Sequence, residues 1–288
     1  KVGVVDVVVD DERAAVVAAK QLLGFFQGST PAGLAPDQDA LRGAIPARER
    51  TAFDVRRVIT TLADEGTVVF LREAFAPELV TALGRIAGRP VGFIANQTLH
   101  KAGALTSDGC DKAARFLQLC DAFGIPLVSL VDTPGIMAGP AAERTAILRH
   151  ASRLLVAGPG LSVPLIGVVL RRGYGLGAQA MLGGSTREPL ITVAWPSAHM
   201  GPMGLEGAVR LSMRKELAAI DDPAEREGRV RELTDAYQEH VTALNVARVF
   251  EIDDVIDPAE TRTLIAAALA AAAGDRGFVG SGRPIDTW

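Results

Sequence analysis

The segment Arg171–Met181, RRGYGLGAQAM, sets Gly173, Gly175 and Gly177 at every second position, directly after the apolar run Val163–Leu170 and ahead of the helix-compatible AQAML. A short apolar run bounded by turn signals predicts a buried strand. The glycines predict a tight turn in which a residue without a Cβ takes a left-handed or closely packed backbone. Strand, glycine loop and helix in that order point to an α/β fold whose site sits in loops at the C-terminal ends of strands. At such a junction the first N–H groups of the helix lack partners and favour negative charge. The segment therefore calls for an anion, either a phosphate or an oxyanion formed during a reaction.

The rest of the chain keeps to the same alternation. Residues 1–28 read as a strand, Val2–Val9, and a helix, Glu12–Phe26, ended by Gly28. Residues 29–50 carry three prolines and two glycines with weak periodicity, the chemistry of a linker, and a second body begins at Thr51. There Asp54–Ala63 predicts a helix, TVVFLRE a strand, and Leu83–Ala87 and Val91–Ala95 two strands joined around Gly88-Arg89-Pro90. Helix Asp111–Phe123, closed by Gly124, leads to strand Leu127–Val131, the loop DTPGIMAGP, helix Ala141–Ala157 and strand Val163–Leu170. After the glycine turn come strand Leu190–Ala194, a second glycine loop MGPMGLEGAV, a helical stretch Pro223–Leu244 and the strand FEIDDVI. The last helix, Pro258–Ala273, has Asp257 as N-cap, Glu260 at its third position and Gly274 after its end.

Several functions are disfavoured by what is missing. With 30 Lys+Arg against 34 Asp+Glu the net charge is −4, so the whole chain shows no basic footprint for nucleic acid. No run reaches the roughly 18 apolar residues of a membrane span. Two cysteines, Cys110 and Cys120, suit a reducing compartment, hence the cytoplasm, and are too few for a zinc knuckle. LVDTPG resembles a nucleotide-binding turn, but no G-x-x-x-x-G-K-[ST] cradle accompanies it. GYGLGA is Gly-x-Gly-x-Gly rather than the dinucleotide fingerprint. His100, His150, His199 and His240 are scattered, with no metal spacing and no nucleophile elbow. An enzyme of this composition works through backbone electrostatics rather than an acid–base pair or a metal.

The strings RPVGFIANQ, SDGCDKAARFLQLCDAFGIPLVSLVDTPG, LRRGYGLGAQAM, ITVAWPSAHMGPMGLEGAV and NVARVFEIDDVIDPAETR, in that order, resemble the carboxyltransferase (β) subunits of biotin-dependent acyl-CoA carboxylases of the propionyl- and acetyl-CoA type. The resemblance is colinear from Asp54 to Leu264, and residues 1–28 match the end of the family's N-terminal half. It implies a crotonase-like fold of ββα turns. Residues 1–28 would be the tail of the N-terminal carboxyltransferase domain, 29–50 the linker and 51–288 the C-terminal domain.

The same resemblance implies transfer of CO2 from carboxybiotin to the α-carbon of an acyl-CoA, with no metal in this chain. The implied partners are the biotin carboxyl carrier protein, the biotin carboxylase, the N-terminal carboxyltransferase domain, and further copies in a hexamer built as a trimer of dimers. By position, the amides of Leu176 and Gly177, presented by Gly175, would form the oxyanion site. Tyr174, Gln179, Arg171 and Arg172 would meet substrate, and Gly135, Met137, Met203 and Gly204 would line the biotin channel. Where the family reads Tyr-Gly-Gly-Ala-Tyr, this chain has Tyr174-Gly175-Leu176-Gly177-Ala178. Gln179 stands at the position that helps set acyl preference in the family. Two other readings remain: the carboxyltransferase component of a decarboxylase complex, and a non-catalytic assembly copy.

Overall fold

The computed structural model describes residues 2–48, 50–273 and 278–286. Helix α1 (Glu12–Phe25) is capped by the Asp11 carboxylate, which accepts from the Ala14 amide. The body continues with α2 (Arg56–Leu62), β1 (Val69–Leu71), β2 (Leu79–Ile86), β3 (Arg89–Asn96), α3 (Ser107–Ala122), β4 (Leu127–Thr133), α4 (Pro140–Glu143) and α5 (Ile147–Ala157). Then follow β5 (Leu165–Tyr174), α6 (Gly175–Met181), β6 (Ile191–Ala194), β7 (His199–Gly201), α7 (Leu205–Ser212), α8 (Arg214–Ala218), α9 (Pro223–Tyr237), α10 (Ala243–Arg248), β8 (Asp254–Val255) and α11 (Thr261–Ala273).

One mixed sheet runs in the order β1-β2-β3-β4-β5-β6-β8, with β7 added beside the end of β5. The first three strands form an antiparallel meander, and from β3 onward every pairing is parallel. Strands buried on both faces account for the unbroken apolar runs of β4 and β5. On one face Leu79, Leu83, Ile94, Val131 and Val169 pack under α3, α5 and α6; on the other Phe93, Leu130 and Val168 pack under α2 and α11. Each such Leu or Ile contributes about 1.5–3 kcal/mol by leaving water.

The segment between α1 and α2 is laid against this body. Leu41 is buried in the second cluster, and the Arg85 guanidinium donates to the carbonyls of Gly24, Gly28 and Gly88 over the Phe25 ring. The Asp64 carboxylate accepts from the Gly33, Ala87 and Gly88 amides and from Arg262. Although burial opposes it, this donor set holds the Asp64 carboxyl below its ordinary range.

Local departures from the sequence reading have local causes. Val2–Val9 is not a strand: Asp6 reaches Arg72, but no neighbour ladder pairs with it among the described residues. The expected helix Ala141–Ala157 is broken into α4 and α5 where Ala146 turns left-handed, at φ +55°. β5 does not stop at Leu170 but continues through Arg171–Tyr174, so the expected loop shrinks to a turn at Gly175. The second glycine loop supplies β7 and then α7, and FEIDDVI yields strand only at Asp254–Val255. Pro223–Leu244 splits at Tyr237, and Gly274 lies outside the described residues.

Candidate active site

The β5–α6 junction is built by glycines for two separate reasons. Tyr174 ends β5 in extended geometry, and Gly175 then turns to φ +59°, where a Cβ would also lie 2.7 Å from the Pro202 carbonyl oxygen. Gly177 packs face to face on Gly135, whose main chain would stand 2.6 Å from any Cβ at 177. α6 is only seven residues long, so its macrodipole is slight. What it offers is its first N–H groups. No side chain caps it, and among the described residues no loop carbonyl or side chain accepts from the Leu176 or Gly177 amide.

Around that turn the structure gathers several expected site residues. Gly135 touches Gly177, and Gly204, the N-cap of α7, faces the Tyr174 ring. Met137 is held two residues beyond Gly135 by a bridge in which Leu105 donates to Gly135 and accepts from Met137. Leu176 is 47% exposed, Met137 39% and Met203 38%, three apolar side chains open to solvent. Tyr174 is buried, and Gln179 faces outward two residues past Gly177.

The two arginines are placed differently. Both converge on Asp132, which is fully buried at the end of β4: Arg171 Nε at 3.0 Å and Arg172 Nε at 2.6 Å. Arg171 also donates to the Thr51 carbonyl at 2.9 Å and lies over the Phe53 ring, leaving its side chain 4% exposed. Its guanidinium is engaged by the frame, by Asp132, the Thr51 carbonyl and the Phe53 ring. Arg172 donates to the Ala102 carbonyl at 2.8 Å, pinning a turn in which Lys101 and Ala102 are both left-handed. Sequence reasoning missed Asp132 because it treated DTPG as a plain turn. An acid closing one strand opposite two arginines closing the next was the available signal.

Side-chain chemistry is sparse elsewhere. Burial pushes the Cys110 thiol up to about 12 and raises Cys120 as well, so neither is a nucleophile. His150 is engaged by Asp111 at 2.7 Å, beside the Arg153–Asp111 pair on α5 and α3. No group of His, Cys, Asp or Glu able to hold a metal occurs among the described residues. What the junction can do chemically is to present two neutral N–H donors in a small apolar rim, an arrangement suited to a developing oxyanion.

A mixed α/β sheet with glycine-built amide donors at the C-terminal end of a parallel strand is an arrangement suited to holding negative charge. The Carboxyl transferase domain family matches residues 1–279, and the chain belongs to that family, with its crotonase-like fold. It is 40% identical over 276 residues to the methylmalonyl-CoA carboxyltransferase 12S subunit of Propionibacterium freudenreichii subsp. shermanii, an alignment covering 93% of this chain and 52% of that subunit. It is similar to a solved single-chain, multi-domain long-chain acyl-CoA carboxylase, with TM-score 0.86 and 47% identity over 92% of this chain and 26% of that one. A transcarboxylase 12S structure, a hexamer with methylmalonyl-CoA and methylmalonic acid bound, superposes with TM-score 0.82 at 37% identity, covering 98% of this chain and 55% of that one. The chain thus spans about half the length of the curated relatives it matches. No helix among the described residues is long and apolar enough to cross a membrane.

Proposed function

We propose that this chain is the C-terminal half of a biotin-dependent acyl-CoA carboxyltransferase. Its task is to stabilise charge while CO2 passes from carboxybiotin to the α-carbon of an acyl-CoA. The observation that supports this most is the pair of amides at Leu176 and Gly177, for which no accepting loop carbonyl or side chain is found among the described residues. Carboxybiotin, when bound, supplies both the CO2 and, through N1, the acceptor for the α-proton. The donor set fits such a group, because uncharged N–H groups match an oxyanion and Leu176, Met137 and Met203 offer apolar surface to its ring. In this reading the amides hold the ureido oxygen, Arg172 stiffens the neighbouring turn, and Tyr174 and Gly204 shape the channel wall. The two free cysteines suit a reducing compartment such as the cytoplasm.

The N-terminal domain would supply the second donor pair from a neighbouring subunit. Relatives twice this length and the exposed side chains of Val2, Val4, Val5 and Val8 favour that arrangement. A hexamer, a carrier protein bearing biotin and a biotin carboxylase complete the assembly.

The test is Leu176→Pro in the full-length parent. Proline deletes the donor at an exposed position near the start of a helix, where its ring is tolerated. Proline at 177 is the poorer choice, since any side chain there strikes Gly135. Turnover by L176P is expected to fall about 100- to 1,000-fold, while Leu176→Ala, which keeps the N–H, stays close to the parent. Equal rates for the two variants would overturn the assignment.

A further inference from the structure

Three consecutive residues of the loop after β3, Lys101, Ala102 and Gly103, are left-handed, at φ +47°, +53° and +78°. Glycine takes that conformation freely, and a Cβ at 103 would also stand 2.5 Å from the Asp132 carbonyl oxygen. Lys101 and Ala102 have no such freedom, and strain of this kind persists only where the surroundings impose it. Polar side chains near the ends of three adjacent strands do so. Asn96 of β3, fully buried, donates to the Gly103 carbonyl at 3.1 Å and accepts from the Asp132 amide at 3.2 Å. The Asp132 carboxylate of β4 accepts from Arg172 Nε at 2.6 Å, and Arg172 of β5 donates through Nη2 to the Ala102 carbonyl at 2.8 Å.

The turn leads directly into the seat of the amide site. Leu105, two residues past Gly103, donates to the Gly135 carbonyl at 3.0 Å and accepts from the Met137 amide at 2.9 Å. The Thr133 hydroxyl steadies the same glycine, accepting from its amide at 3.1 Å. Gly135 is in turn the main chain on which Gly177 rests. A continuous run of contacts therefore joins the Arg172 guanidinium to the backbone of Gly177.

We infer that Arg172 is a positioning residue for the carboxyl transfer: by holding the strained Lys101–Gly103 turn it fixes Leu105 and, through Gly135, the placement of the Leu176 and Gly177 amides. The inference rests on the carboxyltransferase reading of that site. A guanidinium suits the task because its planar fork engages a carboxylate and a carbonyl together in one fixed geometry. Arg172 touches no reacting atom in this role. Its removal lets the turn relax and shifts donors whose contribution depends on their placement. It therefore acts on kcat rather than on acyl-CoA binding.

The experiment compares Arg172→Met with the double variant R172M/A102G in the full-length parent. Arg171 keeps Asp132 paired in both, and Ala102 is exposed, so A102G opens no cavity. R172M is expected to lower kcat about 10- to 100-fold, with KM for acyl-CoA within about twofold of the parent. A102G lets the turn stay left-handed without strain, so the double variant is expected to recover most of the lost kcat. Arg172→Gln, too short to reach Ala102 from the same backbone position, carries the same expectations where Met impairs folding. An unchanged kcat in the folded variant overturns the inference, and so does a raised KM that A102G does not restore, which would mean direct contact with substrate. Hydrogen exchange at the Leu105 and Met137 amides reads the route without turnover. It is expected to quicken severalfold in R172M and to slow again in the double variant. Exchange at the parent's rate in R172M defeats the link from Arg172 to the seat. Quickened and restored exchange in a parent that carboxylates no acyl-CoA upholds that link and defeats the catalytic reading.

Discussion

Asp64 shows how much a single carboxylate holds together here. It accepts three amide hydrogen bonds and the Arg262 guanidinium from segments far apart in the chain. Its folded pKa lies below the unfolded value, so native protein binds fewer protons than unfolded chain as pH falls through the carboxylate range. The stabilisation is therefore complete above about pH 4, the ordinary Asp value, and disappears as pH drops through the lowered one. Asp64→Asn is expected to be less stable than the parent at pH 7 and to show a weaker loss of stability on acidification, read from urea midpoints between pH 3 and 7. The anchoring was invisible in the sequence, where Asp64 is one acid in a polar stretch; its partners are fixed only when β2, β3 and α11 come together.

Elements were legible where pattern and environment agreed. The helix around Lys112 and Cys120 and the strand Leu127–Val131 carry plain periodicity, and both exist as α3 and β4 with slightly longer bounds. β5 was underread because Arg171 and Arg172 look like the start of a loop, whereas both pair with Asp132 inside the sheet. α7 and α8 were missed because Gly204, Gly207 and the methionines around them read as turn chemistry. Of the site, Gly175 and Gly177 could be singled out from spacing. The bridge from Leu105 that seats Gly135 and Met137 could not, because nothing local ties Leu105 to that turn. Asp132→Ala leaves the buried Arg171 guanidinium and the half-buried Arg172 guanidinium without their counter-ion, and is expected to lower stability by about 3–5 kcal/mol in denaturant titration. A loss under 1 kcal/mol would show that the β4–β5 ends are held by other means.

Across the molecule, the segment from α1 to α2 behaves as a strap around the sheet edge. Arg85 ties down two of its carbonyls, those of Gly24 and Gly28, and Leu41 plugs it into the core. Lys112 does the same at the other end of β2, its ammonium donating to the carbonyls of Arg72, Phe75 and Leu79 while burial draws its pKa down to about 8. Arg85→Ala is expected to raise hydrogen exchange across residues 24–34 while the central strands keep their protection. Uniform loss of protection would mean that strap and sheet open as one unit.

The back-to-back contact of Gly177 with Gly135 has an evolutionary consequence. Because the donors are peptide groups seated on another stretch of peptide, nearly every point mutation leaves their chemistry intact, and the few that do not disrupt the seat itself. On the carboxyltransferase reading proposed above, the surrounding side chains can change to suit new thioesters while the peptide donors keep their seat.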